Sequence, residues 1–223
     1  MTANSAPASQ LIALRDPRSP AAEAYRALRT NIQFSSLDKP LRTILATSTS
    51  PDEGKSTTIA NLAVTMAQAE QRVILVDCDL RRPSLHALFG LPNEVGLTSM
   101  ILQEGTEIPA QPTEVPGLMV LTSGPLPPRP PDILGSRRME AVIARLRERA
   151  DIVLFDTPPV VAVTDAAVLA TKVDGVLLVF RAGATKRDRA REARRLLEKV
   201  NANIVGVVLT DVKGDDTYAY YGS

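Results

Sequence analysis

Six short aliphatic and β-branched runs punctuate the chain: "RTILATS", "RVILVDCD", "LMVLTSG", "DIVLFDTPP", "GVLLVFRAG" and "IVGVVLTD". None alternates polar and apolar positions, so each reads as a strand that is apolar on both faces. Such a strand has to lie between two layers of helix, because a half-solvated one shows period-two patterning. Helical patterns separate the runs: "GKSTTIANLAVTMAQAE", "DILGSRRMEAVIARLRERA", "TDAAVLATK" and "TKRDRAREARRLLEKV". Strand alternating with helix predicts right-handed crossovers and one α/β, doubly wound domain around a central, mainly parallel sheet. Hydrophobic residues make up 44% of the chain but aromatics only 4%, with no Trp, so Val, Leu, Ile and Ala must build the core.

The flanks differ from this pattern. Residues 1–19 are rich in Ala, Ser and Pro and read as a flexible arm; residues 20–210 read as the domain and 211–223 as a mobile, tyrosine-bearing tail. "SPAAEAYRALRTNIQFSSL" predicts a helix opening at Ser19 or Pro20, with Tyr25, Leu28 and Ile32 on its apolar stripe. Residues 90–117 are less regular, with a short helix within "PNEVGLTSMILQEG". "PLPPRPP" reads as a rigid loop before a helix at Asp132. The net charge of +1 gives no bulk electrostatic reason to expect nucleic acid or an anionic membrane as partner. The basic run "KRDRAREARR" is interleaved with acids and lacks aromatics, which is the pattern of a solvated helix flank. One cysteine, Cys78, fits a reducing compartment, and no apolar run reaches the length of a membrane span. The expectation is a cytoplasmic chain.

The second helical pattern opens on Gly54-Lys55-Ser56, directly after the strand "RTILATS". Strand, loop and helix in that order are the setting of a phosphate-binding loop, because a helix N-terminus offers unpaired N–H groups and roughly half a positive charge. Gly54 lets the backbone approach phosphates, Lys55 is placed to reach the β- and γ-phosphates, and the Ser56 hydroxyl to ligate Mg²⁺. Thr57 lines the α-phosphate side. Thr49, however, stands where the usual pattern asks for a first glycine, so the triplet alone is equally compatible with a lysine beside a helix cap. Asp77 and Asp79 end the strand "RVILVDCD" and Asp156 ends "DIVLFDTPP". In a doubly wound sheet ligands collect beyond the carboxyl ends of the strands, so three carboxylates are aimed at the same crevice as the loop. Nucleotide-bound Mg²⁺ takes one or two carboxylates with phosphates and water. One such aspartate would pass as a helix cap; three point to ATP with Mg²⁺. Cys78 reads as core, and His86 as local structure at a helix start.

Together "TSTSPDEGKST", "ILVDCDLRRP" and "IVLFDTPP" resemble the Walker A, A′ and B motifs of bacterial tyrosine kinases of the capsule and exopolysaccharide systems, a P-loop ATPase family. "EAYRALRTNIQFS", "GPLPPRPPDILGS" and the tyrosine-bearing tail extend the resemblance over residues 19–223. That family does not use the first loop glycine, which accounts for Thr49. Related positioning and partitioning ATPases carry an additional lysine in the loop, at the place of Ser50 here, so the resemblance to their sandwich mechanism is weaker. A nucleotide-dependent assembly scaffold is the other alternative.

The resemblance implies a P-loop domain that phosphorylates protein tyrosines, with Thr49, Asp52, Glu53, Gly54, Lys55, Ser56, Thr57 and Thr210 around the nucleotide. Ser56, Asp79 and Asp156 would surround the metal. Lys55, Asp77, Asp79 and Arg81 form the expected catalytic set, with Asp77 contacting the acceptor hydroxyl; Arg81 either steadies the transferred charge or is an exposed arginine. Thr210 replaces an asparagine that commonly reads the adenine edge. Tyr218, Tyr220 and Tyr221 are the expected phospho-acceptors, modified in trans. Glu23, Arg26 and Arg29 span about 120° of one helix; they are either a solvated flank with a local Glu–Arg pair or, as the resemblance implies, the contact that closes subunits into a homo-oligomeric ring. The implied activator is the cytoplasmic segment of a membrane polysaccharide co-polymerase, which would bring the chain to the inner face of the plasma membrane.

Overall fold

All six aliphatic runs are strands in the computed structural model, which describes residues 10–35, 40–103 and 107–212. The chain runs through α1 (Ile12–Arg15), α2 (Pro20–Phe34), β1 (Thr43–Ser48), α3 (Lys55–Ala67), β2 (Val73–Asp77), α4 (Leu85–Phe89), α5 (Leu97–Leu102) and β3 (Gln111–Pro112). It continues with β4 (Leu118–Leu121), α6 (Pro130–Gly135), α7 (Arg137–Arg149), β5 (Ile152–Asp156), α8 (Asp165–Ala170), β6 (Gly175–Arg181), α9 (Arg187–Glu198) and β7 (Ile204–Thr210). The sheet order is β3-β4-β2-β5-β1-β6-β7, parallel throughout except for the antiparallel β3–β4 pair. β1, β2 and β5 are buried along their whole length. That is the physical meaning of their unalternating sequence.

Two apolar clusters fill the two faces of the sheet. One gathers residues of α1 to α4, such as Leu11, Ile32, Leu62 and Leu85, over one face; the other gathers residues of α5 to α9, such as Leu97, Leu134, Leu146, Leu169 and Leu197, over the other. α3 is the most enclosed helix end to end. Buried residues surround it on every side, Thr58, Asn61 and Thr65 included, because helix, sheet and the α1–α2 segment all cover it. Among the described residues no helix is long and apolar enough to cross a membrane.

Three sequence expectations need correction. The expected flexible arm is ordered structure from residue 10 onward. Leu11 and Ala13 are each 1% exposed, and the Ala13 N–H donates to Asn61 Oδ1 of α3 at 2.9 Å. The single helix expected after Asp132 is two, because Ser136 is extended (ψ 157°) and its hydroxyl accepts from Met139 N–H, capping α7 afresh. The irregular stretch before residue 117 contains β3, a two-residue strand. Ser19 caps α2 as expected, accepting from Ala22 N–H at 3.2 Å with Pro20 in the first turn.

Candidate active site

β1 ends at Ser48 and α3 begins at Lys55, leaving six residues to turn the chain around an anion site. Gly54 takes a left-handed conformation at φ 82°, and a Cβ there would meet Thr210 Cγ2 at 3.1 Å. Only glycine satisfies both conditions. Asp52, at φ 62°, is a further left-handed residue in the loop. Glu53 is 6% exposed and turned inward: Oε2 accepts from Thr49 N–H at 2.7 Å and Ser50 N–H at 3.1 Å, while Oε1 accepts from the Thr49 hydroxyl at 2.8 Å and from the Thr185 hydroxyl. Thr210 donates its hydroxyl to the Glu53 carbonyl at 2.8 Å. Thr49 and Glu53, both expected around the nucleotide, bond to each other, with Ser50 and Thr185 as Glu53's further partners. Thr210, standing where relatives have a base-reading asparagine, holds the loop at the Glu53 carbonyl.

Parallel pairing brings the carboxylates together. Asp156 of β5 is in register with Ala46 of β1 on one side and Asp77 of β2 on the other. Lys55 Nζ lies 2.7 Å from Asp156 Oδ1, 3.1 Å from Ser56 Oγ and 3.7 Å from Asp79 Oδ2. Burial works against the Lys55 charge, but Asp156, Asp79 and Asp77 outweigh it and its pKa is raised, so the ammonium is retained. Burial also raises the Asp156 carboxyl despite the opposing Lys55.

Asp77 behaves differently from the expectation. It has no exposed surface; Oδ2 accepts from Ser84 N–H at 3.0 Å and Leu85 N–H at 2.9 Å, and Oδ1 from Asp79 N–H at 3.2 Å. Burial and neighbouring Asp156 push its pKa up to about 7, against those amides and Lys55. A carboxylate so enclosed holds the loop after β2; it is not placed to meet an incoming hydroxyl. Asp79, by contrast, lines a cleft of about 540 Å³ together with Lys55, Ser56, Thr57, Asp52 and Gly54. Its Oδ1 accepts from Arg82 N–H at 3.0 Å, which leaves Oδ2 turned to Lys55.

Arg81 also lines the cleft, but Nε and Nη2 are committed to Asp165 Oδ1 and Oδ2 at 3.0 and 3.1 Å. Asp165, at the start of α8, is fully buried and was not singled out in the sequence, where an acidic residue in a first helical turn is ordinary. Arg82 borders the cleft and is exposed. Cys78 is core as expected.

The donors suit a magnesium–triphosphate. Among the described residues no cluster of three or more His, Cys, Asp or Glu could cage a metal unaided, but Mg²⁺ beside phosphates needs only one or two carboxylates. Asp156 Oδ2 is buried without a hydrogen-bond partner, a cost that a bound cation or its water would remove. Ser56, Asp79 and Asp156 would hold it.

Away from the cleft, Arg26 pairs with Glu23 at 2.6 Å and donates to the Pro17 carbonyl. Arg29 donates to the Thr65 carbonyl at 2.9 Å, tying α2 to α3. The three charges are thus not a uniform outward face. Tyr218, Tyr220 and Tyr221 lie outside the described residues.

The family described as the CobQ/CobB/MinD/ParA nucleotide binding domain matches residues 44–221. Tyrosine-protein kinase YwqD of Bacillus subtilis (strain 168) is 41% identical over 216 residues, 96% of this chain and 91% of that protein. The crystal structure of the chimerical protein CapA2B2 superposes with a TM-score of 0.88 at 38% identity, covering 92% of this chain and 91% of the other. The kinase domain of Escherichia coli tyrosine kinase ETK gives 0.84 at 33% identity, over 92% of this chain and 82% of the other.

Proposed function

The chain belongs to the CobQ/CobB/MinD/ParA nucleotide-binding family and, within it, to the bacterial tyrosine-protein kinases, and from that premise we propose that it transfers the γ-phosphoryl group of ATP to tyrosine hydroxyls, those of its own Tyr218, Tyr220 and Tyr221 among them. The observation that carries this is the meeting of Lys55, Ser56, Asp79 and Asp156 at one end of the sheet, with an orphaned Asp156 oxygen between them.

Phosphoryl transfer asks for positioning and charge neutralisation more than covalent chemistry. The amides at the start of α3 and the Lys55 ammonium hold the phosphates. Mg²⁺, when bound, neutralises charge on the β- and γ-phosphate oxygens. The tyrosine oxygen bonds to the γ-phosphorus as the bond to the bridging oxygen breaks, and ADP leaves. A free tyrosine has a pKa near 10, so a carboxylate at the cleft does not deprotonate it in advance; it orients the hydroxyl and accepts the proton late in the transfer. Asp79 lines the cleft and would hold the metal, while Asp77, the expected orienting residue, fastens the loop beneath it.

Transfer occurs in trans within a homo-oligomeric ring joined through Glu23, Arg26 and Arg29. It is activated by the cytoplasmic segment of a membrane polysaccharide co-polymerase, which recruits the kinase to the membrane and places it in capsule or exopolysaccharide assembly. The resemblance of the α2 sequence and tail supports this, not the geometry. The partitioning-ATPase alternative lacks its cation: Ser50 occupies that place, and its N–H serves Glu53.

Intact-mass measurement after incubation with Mg·ATP tests the proposal. Gains of one or more phosphates are expected, absent in Lys55→Met and lost when Tyr218, Tyr220 and Tyr221 are replaced by Phe. Unchanged masses throughout would defeat it.

A further inference from the structure

Glu53 turns a carboxyl group into a loop built to receive anions. A buried carboxylate ordinarily survives by pairing with a cation. Here every partner is an amide or a hydroxyl: Thr49 N–H, Ser50 N–H, the Thr49 hydroxyl and the Thr185 hydroxyl. Those four donors draw two segments together that are 132 residues apart in the chain. Thr185 lies between β6 and α9, in a tight turn where its hydroxyl accepts from Arg181 N–H at 2.9 Å while its own N–H donates to the Arg181 carbonyl at 2.9 Å. Having accepted from Arg181, the hydroxyl has one proton left to give, and it gives it to Glu53. From the neighbouring strand Thr210 donates to the Glu53 carbonyl, and its own carbonyl accepts from Ala182 N–H at 2.9 Å. Residue 53 is therefore gripped at side chain and backbone by the ends of β6 and β7.

We propose that Glu53 and Thr185 form a positioning pair: Glu53 sets the curvature of the phosphate loop by collecting the amides of Thr49 and Ser50, and Thr185 makes that curvature depend on the β6–α9 turn. Both of its carboxylate oxygens are consumed in this, so the pair acts on nucleotide through the loop and not by touching it. Thr49 then has a role that a glycine could not fill, because its hydroxyl is the third donor to the same carboxylate. The inference rests on the cleft being a nucleotide site for its effect on binding, but the shape of the ligand-free loop is independent of that reading.

Two readouts on the full chain test it: amide hydrogen exchange at Thr49 and Ser50 without ligand, and the affinity for a fluorescent ATP analogue with Mg²⁺. Removing the carboxylate in Glu53→Ala should speed exchange at both amides and weaken binding by about tenfold, and Thr185→Val should produce the same changes at about threefold. The double variant should bind no more weakly than Glu53→Ala, since both changes sever one connection. Glu53→Gln should recover most of the loss, because its oxygen can accept the two amides while its NH₂ donates to the two threonine hydroxyls. A Glu53→Gln variant that binds as poorly as Glu53→Ala while both amides stay protected would overturn the proposal, since the charge itself would then be touching nucleotide or metal. So would a Thr185→Val variant silent in both readouts. A wild-type chain that does not bind the analogue would remove the nucleotide reading, and the exchange data alone would then decide whether the pair shapes the loop.

Discussion

Opposite ends of one mainly parallel sheet treat their acids, half-buried Asp174 at one and buried Asp77 and Asp156 at the other, in opposite ways. At the amino end, Asp174 accepts from Arg42 N–H and Thr43 N–H at 3.0 Å each and from the Thr43 hydroxyl at 2.8 Å, with Arg147 3.8 Å away. Burial pushes the Asp174 carboxyl up, but those donors and Arg147 hold it below the ordinary range. At the carboxyl end, Asp77 and Asp156 sit side by side in register, burial raises both, and Asp156 keeps an oxygen with no partner. Folding completes the first group and leaves the second short of positive charge. The unfinished end is the one to which the phosphate loop, Lys55 and the cleft belong, as expected where binding rather than stability set the residues.

That contrast predicts separable losses. The largest belongs to Asp156→Asn, which should lower phosphate transfer by about a hundredfold or more while cooperative unfolding persists. Steady-state kinetics alongside thermal melting would show it; near-normal turnover would mean that the carboxyl end is ordinary structure. Next is Asp174→Ala, expected to cost about 1–3 kcal/mol of stability by leaving two part-buried amides and a hydroxyl without their acceptor. Its KM for ATP should stay within about twofold, the range expected when neither partner nor geometry of the site is touched. Denaturant midpoints and kinetics on one preparation test both halves, and a variant equally stable but slow would reverse the comparison.

The smallest effect is a pH slope of opposite sign at the two ends. Asp77 has its pKa raised from 3.8 to about 7, so between those values the unfolded chain ionises while the folded one keeps its proton, and its contribution to stability falls as pH rises. Asp174 is lowered from 3.8, so its contribution is present above that value and is lost as pH drops through the folded pKa. In ligand-free denaturation series, Asp77→Asn should flatten the limb between about pH 4 and 7, and Asp174→Asn the limb below about pH 4.

Much of this was legible before any coordinates. Unbroken aliphatic runs mark β1, β2, β5 and β6, since a strand covered on both faces has nowhere to hide polar side chains. β4 and β7 carry the same signature yet leave Met119, Val207 and Leu209 exposed toward the sheet edges. Lys55, Ser56, Asp79 and Asp156 were legible for a related reason: chemistry at a strand end is fixed by the strand itself. What stayed hidden depends on partners remote in the chain. Leu11 and Ala13 lie in an Ala- and Pro-rich stretch whose composition gives no hint that α3 covers them. Glu53 reads as a nucleotide contact until Thr185 is found beside it. Asp77 and Asp79 are equivalent on paper; the turn into α4 makes one a cap and leaves the other at the cleft.

The packing of Thr210 against Gly54 also ties the end of the last strand to the phosphate loop. From there Tyr218 is eight residues along, a tether of at most about 26–29 Å when fully drawn out. That span is enough to bring an acceptor to the cleft it starts beside, so chain length by itself calls for no second copy.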